Sequence, residues 1–169
     1  MMMSIIMSCR MSAIRRTPAG EALTSLIPDL FSLNNRLLTV GDRLVGSLGL
    51  TSARWHVLGA IEAAERPQPV AWLARDLGAN RQNVQRIVND LNKDGLVMFE
   101  ENPHHRRAQL VLMTADGRRA YEAAMRLQAP WVDSLSDGLS VRDIESVHRI
   151  VIALRKRLEA SSHAAVMPD

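Results

Sequence analysis

The residues best suited to chemistry lie within 81–93, RQNVQRIVNDLNK. At 100° per residue, Val84, Ile87, Val88 and Leu91 centre one face of a helix. The opposite face carries Gln82, Arg86, Asn89 and Lys93, with Gln85 on its flank. Asn and Gln bond adenine edges bidentately, and Arg bonds the O6 and N7 of guanine, which is what major-groove readout requires. No acid sits at the centre of that face: Asp90 lies to the side and Asp94 at the far end. Arg81, in the first turn beside free backbone N–H groups, is placed to hold a phosphate. An ordinary solvated helix face has much the same composition, so its surroundings decide the reading.

A second basic cluster follows in Asn102-Pro103-His104-His105-Arg106-Arg107, a turn-forming stretch between two runs of strand formers. Arg106 and Arg107 suit insertion into a narrow minor groove, where negative potential is concentrated. His104 and His105 are further DNA contacts. As a metal pair they fit poorly, because adjacent rings rarely aim at one ion and no Cys or carboxylate follows at ligand spacing. His56, next to Trp55, reads as a packed or hydrogen-bonded histidine of a core helix rather than a catalyst. Ser, His and Asp occur in no nucleophile-elbow setting, and neither a phosphate loop nor GxGxxG is present. The expectation is no catalytic residue, no metal, no cofactor and no enzyme.

Several helices and one hairpin must position these residues. Leu23, Leu26, Leu30, Leu33, Leu37, Leu44 and Leu48 recur mostly in steps of three and four. Gly20 and Gly49 bracket this helix, about 27 residues and roughly 40 Å long, whose apolar stripe calls for a partner helix. Thr51 caps the next helix, Leu50 staples against Trp55, and Arg66-Pro67-Gln68-Pro69 ends it. Val70, Leu73, Ala74 and Leu77 mark a short helix stopped by Gly78. Asn80 caps the helix that holds the base-reading face, and Gly95 stops it. Two helices joined by Leu77-Gly78-Ala79-Asn80 match a helix-turn-helix. Leu96–Glu100 and Gln109–Met113 then predict a hairpin whose cationic tip protrudes as a wing.

Thr114 caps a further helix with Tyr121, Met125, Gln128, Val132 and Leu135 on one face, and Pro130 predicts a kink or break before Trp131. Gly138 ends it. Ser140 starts the last helix, with Asp143 in a capping-box position. Ile144, Val147, Val151, Leu154 and Leu158 repeat in steps of three and four, the mark of helix packed on helix. The fold class is therefore mainly α: a winged helix-turn-helix over 50–113, a dimerisation helix over 21–49 and C-terminal dimerisation helices over 114–160. Residues 1–20 and 161–169 read as tails, the first disordered. The unpartnered stripes predict a homodimer with twofold symmetry.

Length and composition bound this picture. The 169 residues are 47% hydrophobic and 23% charged, a globular composition that excludes wholesale disorder. Arg10, Arg15 and Arg16 lie in the first twenty residues, and the other 149 carry 18 basic and 18 acidic side chains. Polyanion binding must therefore come from local placement rather than bulk charge. Cys9 is the only thiol, which excludes an internal disulfide framework and suits a reducing cytoplasm. No apolar run approaches a membrane span. Met1, Met2, Met3, Met7 and Met11 are all conceivable starts, and the stretch before Cys9 makes a poor secretory or lipoprotein signal.

The order of parts over roughly residues 20–160 resembles the MarR family of bacterial winged-helix transcriptional regulators. Leu50-Thr51 through Leu58 is similar to the family's LTxxQWxVL, with Arg54 where Gln is frequent. Asp90-Leu91-Asn92-Lys93-Asp94-Gly95-Leu96-Val97 resembles its segment at the end of the recognition helix. His105-Arg106-Arg107-Ala108, followed by Leu112-Met113-Thr114-Ala115-Asp116-Gly117, resembles its DxR…LTxxG signature, with His105 for Asp and Met113 for Leu. The resemblance implies a cytoplasmic homodimer that binds double-stranded DNA at a pseudo-palindromic operator and usually represses nearby genes. It also implies a small-molecule pocket between the dimer helices and the winged module, where Phe31, Asn35, Arg36, Trp55 and His56 are candidates. Effectors of such proteins are often phenolic or aromatic acids, antibiotics or oxidants, and Cys9 as the sole thiol disfavours the oxidant-sensing branch. The alternative function is a winged-helix protein-interaction module without sequence-specific DNA binding.

Overall fold

A computed structural model describes residues 16–103, 105 and 107–164, with side chains to Ser161. The readings made for Cys9, the tail before Arg16, His104, Arg106 and the last five residues lie outside the described residues.

Thr17 starts α1 (Pro18–Val45): its Oγ1 accepts the Gly20 N–H at 3.1 Å. Pro18 takes the first turn, where a missing N–H costs nothing. The helix thus begins ahead of Gly20, inside the stretch read as tail. It ends in a 3-10 turn, Gly46–Leu48. The α2 helix (Ser52–Ala63) is capped by Thr51, whose Oγ1 accepts the Arg54 N–H at 3.3 Å, and Leu50 and Trp55 are both buried beside that cap. Ser52 fastens the two helices together. Its N–H donates to Asp42 Oδ1 at 2.6 Å and its hydroxyl to the Leu38 carbonyl at 2.8 Å.

After α2 the structure corrects the sequence reading. Arg66–Pro69 is more than a helix stop, since Gln68–Pro69 forms a short strand, β1. Two residues are too few to show alternation, and a proline argues against a strand, yet at a sheet edge its absent N–H is harmless. α3 (Val70–Asp76) and α4 (Arg81–Lys93) make the helix-turn-helix. Gly78 turns the chain at φ +61°, and Asn80 Oδ1 accepts the N–H groups of Gln82 and Asn83 at 2.8 and 3.3 Å. β2 (Val97–Glu100) and β3 (Leu110–Met113) pair antiparallel, Val97 opposite Met113 and Glu100 opposite Leu110. β1 pairs with the other side of β3, Gln68 opposite Val111, giving the order β1-β3-β2.

Thr114 joins the sheet to α5 (Ala115–Ser136). Its N–H donates to the Leu96 carbonyl at 3.1 Å, its hydroxyl donates to the Gly95 carbonyl at 2.7 Å, and the Gly117 N–H donates to that hydroxyl at 3.0 Å. The expected break before Trp131 is absent, because α5 runs unbroken through Pro130. Pro130 and Arg126 are both exposed, so water can bond the carbonyl the proline leaves free. α6 (Val141–Ala164) begins with the predicted box: the Asp143 N–H donates to Ser140 Oγ at 3.1 Å, and that hydroxyl donates to Asp143 Oδ2 at 2.6 Å. It runs to Ala164, beyond the expected end at 160.

The chain divides into two units, one ending at Ala124 and the other starting at Met125. The first holds a core in which Val45, Leu58, Leu73, Val88, Leu91 and Val111 are among the fully buried side chains. Along α1 in this unit, Leu26, Ile27, Phe31, Leu33, Leu37 and Val40 remain exposed. In the second unit no described side chain of α6 is buried, and Val147, Ile150 and Leu158 are more than half exposed. Apolar surface of this extent on helices is uncommon on a monomer. No described helix is long and apolar enough to cross a membrane.

Candidate nucleic-acid interface

α4 divides as its sequence pattern requires. Val84, Ile87, Val88 and Leu91 are buried against the core, while Arg81, Gln82, Arg86, Asn89 and Lys93 are exposed and Gln85 is half-buried. The outward side chains are partly ordered among themselves. Gln85 Nε2 donates to Asn89 Oδ1 at 3.0 Å, and Arg86 Nη2 donates to Asn83 Oδ1 at 2.9 Å. Such i,i+3 and i,i+4 pairs stabilise a helix by about 0.2–0.5 kcal/mol each. The two acids near this face are engaged. Asp90 lies 3.4 Å from Lys93 Nζ, and Asp94 pairs with Arg54, whose Nη1 also donates to the Gly49 carbonyl at 3.0 Å.

The wing brings its tip to the N-terminal end of α4. The His105 N–H donates to the Asn102 carbonyl at 3.2 Å and the Ala108 N–H to the His105 carbonyl at 2.9 Å, which tightens the turn. Between wing and α4 lies a cleft of about 710 Å³ in which Arg81, His105 and Arg107 converge. Arg66 and Trp72 also line it, and among the described residues no carboxylate does. A smaller recess of about 100 Å³ continues to Gln85 and Phe99. Sequence reasoning missed Arg66 and Trp72. The only signal for Arg66 was its place ahead of Pro67, whereas Trp72 is an aromatic outside the apolar repeat of α3.

The residues proposed for a small-molecule site fall differently. Trp55 is buried in the core, with its ring centroid 6.2 Å from that of His56. His56 itself is exposed: α2 turns it outward beside the buried Trp55, which removes the packed half of its reading as a packed or hydrogen-bonded histidine. Phe31, Asn35 and Arg36 are exposed along α1, Phe31 by 68%. Two clefts lie elsewhere, one beside the wing and one of about 580 Å³ between α2 and α3. Among the described residues, no group of three or more His, Cys, Asp or Glu is arranged to hold a metal ion.

Comparison with known proteins places this geometry. Residues 48–108 match the family model described as MarR family. The transcriptional activatory protein BadR of Rhodopseudomonas palustris is 33% identical over 146 residues, 82% of this chain and 83% of that protein. Among solved structures, the Mycobacterium tuberculosis transcriptional regulator MosR in complex with DNA superposes with a TM-score of 0.69 at 23% identity, covering 80% of this chain and 96% of that one. CouR from Rhodococcus jostii RHA1, bound to p-coumaroyl-CoA, gives a TM-score of 0.64 at 19% identity, covering 74% and 87%.

Proposed function

Because this chain belongs to the MarR family, whose winged-helix members are DNA-binding transcription regulators, we propose that it works as a homodimer on a pseudo-palindromic operator. The observation that carries the reading is the convergence of the exposed α4 face with the cationic cleft beneath the wing, where no described lining residue is a carboxylate. In this arrangement Gln82, Gln85, Arg86, Asn89 and Lys93 meet base edges and phosphates in the major groove, with Arg81 on the backbone. His104, His105, Arg106 and Arg107 reach the flanking minor groove. The unpartnered apolar surface on α1 and on α6 supports pairing with a second copy, which sets the two recognition helices about 34–36 Å apart.

The regulator responds to a small aromatic or phenolic acid. A homologue of the same fold is crystallised with p-coumaroyl-CoA, and Phe31, Asn35, Arg36 and His56 offer exposed aromatic, amide, cationic and imidazole groups along α1 and α2. Such a ligand releases DNA only through its differential affinity for two spacings of the recognition helices. Repression follows where the operator overlaps a promoter. The second reading is activation, and it is favoured by the likeness to BadR, named an activatory protein. No catalytic role is proposed, and the working compartment is the cytoplasm.

The test is fluorescence anisotropy on a duplex selected from a random pool, repeated across a panel of aromatic acids. Tight binding to the selected duplex, weak binding to random duplex and release by at least one acid are expected. Equal affinity for both duplexes would favour the protein-interaction alternative, and constant affinity across the panel would remove the effector.

A further inference from the structure

The cleft beneath the wing has a use that follows from the shape of duplex DNA. Major and minor grooves are separated by a single phosphodiester strand. A protein with α4 in one groove and the wing in the next therefore straddles that strand, and whatever lies between α4 and the wing faces its phosphates. Here that floor includes Arg66 and Trp72, brought beside the wing by the pairing of β1 with β3. The Arg66 guanidinium lies 5.9 Å from the centre of the Trp72 ring, and the indole is 43% exposed. Arg75 lies at the same distance from that ring, but it is drawn to Asp76 at 3.3 Å.

Among the described residues the guanidiniums of this cleft form no ion pair, a property they share with Arg36, Arg43 and Arg86, while several other cations are paired. Arg54, Lys93, Arg118, Arg119 and Arg155 each have a carboxylate partner. Arg66, Arg81 and Arg107 form no ion pair among the described residues, although all three are exposed. Arg66 and Trp72 also border the cleft of about 580 Å³ with Glu65 and Asp76, but on the wing side Arg66 shares its cleft with Arg81 and Arg107, and the repulsion among these like charges is a cost that an incoming polyanion removes. The cation–π contact restrains the Arg66 side chain before DNA arrives, so less side-chain entropy is lost on binding.

We propose that Arg66, held over the Trp72 ring, contacts the phosphate backbone of the strand that passes between recognition helix and wing. Arg66 is the contact, and Trp72 is a positioning residue that acts through it. The inference rests on the DNA-binding reading above and adds to it a backbone contact outside both the recognition helix and the wing.

The experiment measures affinity for operator and random duplex at several salt concentrations, for the full-length protein and its variants. Removing one phosphate contact lowers the salt slope by about 0.9, hence about 1.8 for a dimer. Between 50 and 200 mM salt, Arg66→Ala should therefore lose about twelvefold less affinity than wild type. It should also bind operator and random duplex more weakly by the same factor. Arg66→Lys should restore the slope. Trp72→Leu should weaken both duplexes equally, with Trp72→Phe recovering most of the loss. Circular dichroism confirms that each variant is folded. If wild type binds duplex with a steep slope and Arg66→Ala matches it, the contact does not exist and DNA binding stands. If wild type binds no duplex, the reading beneath the inference fails and the inference falls with it.

Discussion

Two glycine-to-alanine substitutions in helices should move stability in opposite directions. Glycine inside a helix costs about 0.5–1 kcal/mol relative to alanine, so propensity alone favours both changes. At Gly59, within α2, an added Cβ would sit 3.6 Å from the Tyr121 ring, an ordinary contact. Gly59→Ala should therefore stabilise by about 0.5–1 kcal/mol. Gly117, in the first turn of α5, is buried, and its Cβ would lie 2.9 Å from both the Leu96 carbonyl carbon and Met113 Cγ. It would be closer still to the Leu96 carbonyl oxygen, which accepts the Thr114 N–H at 3.1 Å. That backbone cannot yield cheaply, because Thr114 also holds Gly95 and caps α5. Forced repacking costs about 1–3 kcal/mol and a weakened bond about 1, so after the propensity gain the net loss is about 2 kcal/mol. In a chain of this size that lowers Tm by roughly 4–8 °C, while Gly59→Ala raises it by about 1–4 °C. Thermal melts followed by circular dichroism at fixed protomer concentration measure both. A Gly117→Ala Tm at or above wild type would refute the seating of α5 on the sheet.

Three further outcomes are expected. Arg86→Ala should cost about 1–3 kcal/mol on the best operator and relax preference at one position per half-site; equal loss on random duplex would contradict base reading. Val147→Asp puts a charge into the exposed apolar surface of α6 and should shift the protein to monomer in sedimentation velocity, so an unchanged dimer would place the interface elsewhere. Arg54→Gln installs the residue frequent in the family, removes the ties to Asp94 and Gly49, and should lower stability by about 1 kcal/mol, Asp94 being half exposed. A urea midpoint equal to wild type would show that the brace contributes nothing.

Local chemistry made most of the fold legible. Thr51, Asn80, Thr114 and Ser140 each cap the helix they were read to start, since a short polar side chain beside free N–H groups is a local signal. The buried face of α4 was equally legible from Val84, Ile87, Val88 and Leu91. What stayed hidden depends on contacts distant in the chain. β1 exists only because Gln68 meets Val111, and Arg66 and Trp72 join the cleft only through that pairing. Gly117 stood out as a motif position, but its reason, the nearness of the Leu96 carbonyl, needs the folded chain. The outward turn of His56 and the continuity of α5 past Pro130 were hidden too, because exposure on a given helix face is settled by packing.

In the proposed complex one dimer carries two copies of α4 into successive major grooves of one duplex. Hydroxyl-radical footprinting on a selected operator, with stoichiometry from sedimentation, reads out this arrangement. Two protected half-sites centred about 10–10.5 base pairs apart, or a multiple of that spacing, with two protomers per duplex, are predicted. A single protected patch held by one protomer, or protection with no helical spacing, would contradict it.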